Sequence, residues 1–106
     1  MDSATALRRA RDGDLEAYES LVARFTVPVH RAAVLLGAGD DAEDVVQEAF
    51  VKAYHALGTF RGEAGALRAW FVAIAVNQTR NLHRSRRRDA ALMLREAATD
   101  ASRGLA

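Results

Sequence analysis

At 106 residues the chain has room for one compact domain and not for two. With no cysteine, one proline and a hydrophobic half that leans on alanine, it excludes a disulfide framework or thiolate metal site and favours helix over sheet. The net charge of +1 conceals a division: residues 1–60 hold 6 Lys/Arg against 10 Asp/Glu, and residues 61–106 hold 9 against 4. An acidic half and a basic half point to two partners, one of them a polyanion. No apolar run approaches the roughly 20 residues that cross a bilayer, and no signal-peptide pattern opens the sequence. The composition therefore predicts a soluble, cytoplasmic protein with no membrane insertion.

In chain order, Ser3–Arg11 is a short helix with Ser3 as N-cap and Gly13 as its stop. Asp14 caps the next, which carries Leu15, Tyr18, Leu21, Val22 and Phe25 at helical spacing. Pro28 either begins a further helix bearing Val29, Ala32, Ala33, Leu35 and Leu36, or sits within one longer kinked helix. Asp40 to His55 is the clearest amphipathic segment. Ala42, Val45, Val46, Ala49, Phe50 and Ala53 form its buried stripe, with Asp40 or Asp41 as cap. Leu57–Gly65 is a loop containing Phe60-Arg61-Gly62-Glu63. Ala66 to about Arg88 is the last strong helix, with Leu67, Trp70, Phe71, Ile74 and Ala75 on its apolar side. From Asp89 onward it frays toward a tail. Nothing alternates as a strand would, and the prediction is all-α: a compact bundle of four to five helices with no sheet.

Catalytic and cofactor signatures are missing. His30, His55 and His83 fall in three segments without metal-ligand spacing. The acidic cluster Asp40-Asp41-Glu43-Asp44 lacks the alternation and central glycine of a calcium loop. No Gly-rich phosphate loop follows a strand. The sequence predicts no enzyme, no metal and no cofactor.

Three constellations carry binding chemistry. Arg80, Arg84, Arg86, Arg87 and Arg88 lie within nine residues, beside Asn77, Gln78, Thr79, Asn81 and His83. Arginines at this density neutralise phosphates, and amides add hydrogen bonds to base edges. Positions 70, 73, 77, 80 or 81, and 84 share a stripe, which suits unpaired nucleic acid. The plain alternative is a solvated helix end with cations suited to its dipole. Asp44, Gln47 and Glu48 form an exposed patch able to receive a partner's arginines, or simply solvent. Phe60-Arg61-Gly62-Glu63 sits before the basic helix, where a loop can hold an unstacked base; core packing is the default for Phe60.

Together, Asp41-Ala42-Glu43-Asp44-Val45-Val46-Gln47-Glu48-Ala49-Phe50, then Phe60-Arg61-Gly62-Glu63, then Trp70-Phe71-Val72-Ala73-Ile74-Ala75-Val76-Asn77 and the arginine run resemble region 2 of bacterial sigma factors. The group they resemble most is the extracytoplasmic-function (ECF) type. The resemblance spans about residues 5 to 90, with Ala73 standing where many members carry arginine. It implies that the acidic helix docks on the clamp coiled coil of the largest subunit of core RNA polymerase through Asp44, Gln47 and Glu48, with Val51 and Lys52 as neighbours. It also implies that the last helix and the preceding loop read the promoter minus-ten element as single-stranded non-template DNA, with a base flipped into a pocket. The reading residues would be Phe60, Arg61, Asn77, Arg80, Asn81 and Arg84, and Arg86, Arg87 and Arg88 would hold phosphates. An anti-sigma factor is a further partner of such proteins.

The expected organisation is a helical domain over 1–90 and the start of an interdomain linker or disordered tail over 91–106. The rival reading is a protein-interaction module whose arginines only solubilise it.

Overall fold

Asp2, not Ser3, caps the first helix of the computed structural model, which describes residues 1–105. Its carboxylate accepts from the Thr5 amide at 2.7 Å, and that bond holds the Asp2 carboxyl below its ordinary range. Helix α1 (Ser3–Arg11) gives way to α2 (Leu15–Leu35), α3 (Ala42–Ala56) and α4 (Leu67–Leu105), with single 3-10 turns at Gly39–Asp41, Leu57–Thr59 and Ala64–Ala66. No strand occurs among the described residues, so the all-α expectation holds with four helices.

Two glycines set the corners. Gly13 (φ 97°) and Gly37 (φ 85°) adopt the left-handed conformation that ends α1 and α2. At each, the glycine and the residue after it donate back to the last turn: Gly13 to Ala10 and Asp14 to Arg9, Gly37 to Val34 and Ala38 to Ala33. Asp14 then caps α2 as expected, accepting from the Ala17 amide at 3.2 Å.

Of the two readings at Pro28, the single helix is the one found. Proline deprives the Arg24 carbonyl of its intrahelical donor, at about 3 kcal/mol in an exposed helix. Leu21, Phe25, Val29 and Ala33 recur every fourth residue across it, and Leu21, Val29 and Ala33 are fully buried. Burying large apolar side chains contributes roughly 1.5–3 kcal/mol each, enough to outweigh the lost bond.

The α3 stripe forms as predicted: Ala42, Val45, Val46, Ala49, Phe50 and Ala53 are all buried. Neither Asp40 nor Asp41 caps it through a side chain; Asp41 is engaged elsewhere. All four Phe, both Tyr and the single Trp join one aromatic cluster centred on Phe71. Its ring lies 5.2 Å from Phe50, 5.4 Å from Trp70, 5.5 Å from Phe25 and 6.4 Å from Tyr18. The Tyr18 hydroxyl donates to the Phe50 carbonyl at 2.5 Å, and burial pushes its acidity well below that of an ordinary phenol.

The last helix does not fray at Asp89 as expected. It runs 39 residues, about 58 Å at 1.5 Å per residue, and gives the molecule its 69 × 24 × 21 Å extents. The radius of gyration is 19.0 Å, against about 13 Å for a compact chain of this length. The difference is the far half of α4: every side chain from Arg84 to Gly104 is exposed. No helix among the described residues is long and apolar enough to cross a membrane.

Candidate functional site

Because α3 buries 42, 45, 46, 49, 50 and 53, helical geometry turns Asp44, Gln47, Glu48 and Val51 to solvent together, and all four are exposed. Glu43 and Asp44 lie in the first turn, where carboxylates meet the positive end of the helix dipole. Alongside runs a groove of about 860 Å³ between α2 and α3. Leu15, Val22, Val51 and Tyr54 supply apolar walls, and Glu19 and Asp44 an acidic edge. The α2 side of this face was not legible as such. Leu15, expected on the buried stripe, is 54% exposed, and only the packing of α2 on α3 brings it beside Val51. Lys52 departs from the group: its Nζ reaches across to α4 and donates to Gln78 Oε1 at 2.6 Å.

Helix α4 turns Leu67, Phe71, Ala75 and Thr79 inward at every fourth position. Thr79, grouped above with the polar residues of the basic segment, is fully buried; its hydroxyl donates to the Ala75 carbonyl at 2.9 Å and so leaves nothing unsatisfied. Asn77, Arg80, Asn81, Arg84, Arg87 and Arg88 remain exposed. Only one ion pair occurs among the described residues, Arg86 with Asp41, so the other arginines of this run face solvent without a carboxylate partner. Arg86 instead ties α4 to the start of α3. His83 does similar work at the end of α2: its Nε2–H donates to the Leu36 carbonyl at 2.9 Å, beside Gly37.

The loop before α4 is built on Phe60. Its side chain is buried, with the ring 4.9 Å from Trp70 and the Arg11 guanidinium 5.4 Å from its centroid. Arg11 also donates to the Phe60 carbonyl at 2.5 Å. A Cβ at Gly62 would meet Phe60 Cζ at 2.8 Å, so this residue must be glycine for the ring to lie where it does. Phe60 therefore shapes the loop from inside, while Arg61 is exposed beside it. From Trp70, against which the loop packs, Asn77 is seven residues away, about 10.5 Å along the same side of α4. Arg84 lies as far again.

Between the two faces, Asp41, Asp44 and Glu48 on the α3 side confront Gln78, Asn81 and Ser85 on α4 across a groove of about 380 Å³. An acidic, partly apolar face and a basic, amide-bearing face thus meet along one seam.

This is a helical domain with two chemically opposite surfaces, and the chain belongs to the sigma-70 region 2 family, whose model matches residues 15–89. Among curated relatives, the ECF RNA polymerase sigma-E factor of Escherichia coli K12 is 42% identical over 78 residues, covering 71% of this chain and 39% of that protein. The sigma-E factor of Haemophilus influenzae is 39% identical over 75 residues, with the same coverage. The chain thus spans well under half the length of these relatives. An engineered region 2 of sigmaE, solved by NMR in complex with GTAAAA, superposes with a TM-score of 0.76 at 32% identity, over 84% of this chain and 93% of that one. CnrH, solved in complex with the cytosolic domain of CnrY, gives a TM-score of 0.67 at 37% identity over 92% and 64%.

Proposed function

We propose that this domain is a transcription initiation module. It docks on core RNA polymerase, at the clamp coiled coil of the largest subunit, and reads the promoter minus-ten element as single-stranded non-template DNA. Docking is assigned to Asp44, Gln47, Glu48 and Val51, with Lys52 at their margin. Reading is assigned to Asn77, Arg80, Asn81 and Arg84 with Arg61 at the loop, and phosphate binding to Arg87 and Arg88, joined by Arg86 when Asp41 releases it. Phe60 serves by holding the loop. The observation that carries this is the exposed set Asn77, Arg80, Asn81, Arg84, Arg87 and Arg88, whose arginines have no carboxylate partner among the described residues, on a fold whose sigmaE relative was solved with GTAAAA.

No covalent step is involved. Contacts made only to an unstacked base favour the melted strand over duplex by the energy of those contacts. The domain is assigned to 1–90, and its site of action is the cytoplasm, with polymerase. An anti-sigma factor is assigned as a further protein partner; CnrH, solved in complex with the cytosolic domain of CnrY, supports a protein partner of this fold beyond polymerase.

The test is anisotropy with a labelled single strand carrying GTAAAA, against a scrambled strand. Preference for the former, lost in Asn77→Ala, is expected; equal affinity for both refutes base reading. For docking, Asp44→Arg with Glu48→Arg is expected to abolish capture by the isolated clamp helices, and undiminished capture refutes it.

A further inference from the structure

Beside the loop lies a further cavity, of about 510 Å³, between α1 and residues 62–65. That volume falls in the range of small-ligand sites, roughly 300–1,000 Å³. Arg8, Arg11 and Asp12 line it from the end of α1, Gly62 and Glu63 from the loop, with buried Leu7 contributing an apolar wall. None of these four charged groups has an ion-pair partner among the described residues, although two cations and two anions share one cavity. Two donor-bearing guanidiniums and two acceptor carboxylates are thus left open side by side.

We infer that this cavity is a second base pocket, taking a guanine that follows or precedes the nucleotides read along α4. The inference rests on the reading proposed above. Three features select the ligand. The lining carries no net charge, so a bare phosphate gains little there, whereas the arginine run of α4 already serves phosphates. Guanine offers O6 and N7 as a paired acceptor edge for an arginine, and an N1–H/N2–H pair for a carboxylate; thymine offers neither pair. Arg11 is already fixed by the Phe60 carbonyl and ring, so its remaining N–H groups are presented without ordering cost. The position also fits. Glu63 follows Phe60 by three residues, no more than about 11 Å of chain, so a strand that reaches the loop reaches the cavity.

The experiment uses the whole chain and fluorescent single strands. A GTAAAA core is extended by one to three nucleotides at either end, each added position being guanine, thymine or abasic. Guanine at one position is expected to tighten binding on the order of tenfold over thymine, the span of a modest base-edge contact. Arg8→Gln and Asp12→Asn, both exposed and outside the α4 face, should erase that increment and leave binding of the unextended core unchanged. Equal affinities for guanine, thymine and abasic sites at every position overturn the pocket, as does an increment that survives both substitutions. If the core itself is not bound in preference to a scrambled strand, the parent reading fails and the pocket with it. A core bound normally, with indifferent extensions, removes the pocket alone.

Discussion

Phe60→Ala separates two ways an aromatic can serve a binding loop. The ring is 7% exposed, packed on Trp70, covered by Arg11 and seated on Gly62. Truncating a buried phenylalanine costs about 3–5 kcal/mol, and a loop can partly close over the gap, so about 3 kcal/mol is expected. The Arg11 contact contributes about 0.5–1 kcal/mol of that. For a domain this size each kcal/mol lowers Tm by roughly 4 °C or more, giving a fall of about 12 °C. Urea unfolding followed by circular dichroism should show a lower midpoint at unchanged slope. Phe60→Leu keeps most of the volume, and should cost less than about 1.5 kcal/mol while retaining most single-strand affinity. The reasoning fails if Phe60→Ala costs under 1 kcal/mol, or if Phe60→Leu loses DNA binding at undiminished stability, since the ring would then act on a base and not on the core.

Gly62→Ala should destabilise by about 1–3 kcal/mol in the same assay, because its methyl would meet Phe60 Cζ at 2.8 Å and Ala66 Cβ at 3.0 Å. Tyr18 predicts an alkaline weakness. Its folded pKa is raised above the ordinary 10, so the unfolded chain binds fewer protons above that pH and stability falls as pH rises past 10. Tyr18→Phe should flatten that decline while losing about 1 kcal/mol at neutral pH through the missing hydroxyl. Arg86→Ala should cost less than about 1 kcal/mol, since the side chains of the pair are 54% and 34% exposed, and the loss should vanish in high salt. Arg87→Ala should reduce the salt slope of single-strand binding by about 0.7; an unchanged slope would remove it from the phosphate contacts.

The parts legible in the sequence were those fixed by local periodicity. The α3 stripe, the Asp14 cap and the Gly13 stop depend on neighbours within four residues, and each appears where expected. The continuous α2 was also written there: Leu21, Phe25, Val29 and Ala33 keep their spacing through Pro28, and that period outweighs the proline. Thr79 extends the series Leu67, Phe71, Ala75 by one step, and its place in the basic segment obscured a core position. What could not be read was pairing at a distance. Arg86 with Asp41, Lys52 with Gln78, and Arg11 over Phe60 join residues 26 to 49 positions apart, and no local pattern encodes which surface cation meets which partner. Of the candidate residues, Asn77, Arg80, Asn81 and Arg84 lie on one side of α4 as the spacing implied, whereas Arg86 turns to Asp41 on the other. Phe60 and Lys52 are placed by tertiary contacts instead.

The long last helix holds two thermodynamic regimes in one element. Its first four turns are clamped by the aromatic cluster, whereas the segment beyond Arg84 makes no side-chain burial. A stretch of that length barely nucleates alone in water; it exists by propagation from an already formed end. Amide protons should therefore exchange on a gradient, slowest near Phe71 and Ala75 and faster with each turn toward Leu105. Loosening the bundle would melt the distal segment first. The rod is in effect a gauge, whose length at any moment reports how firmly the domain behind it is held together.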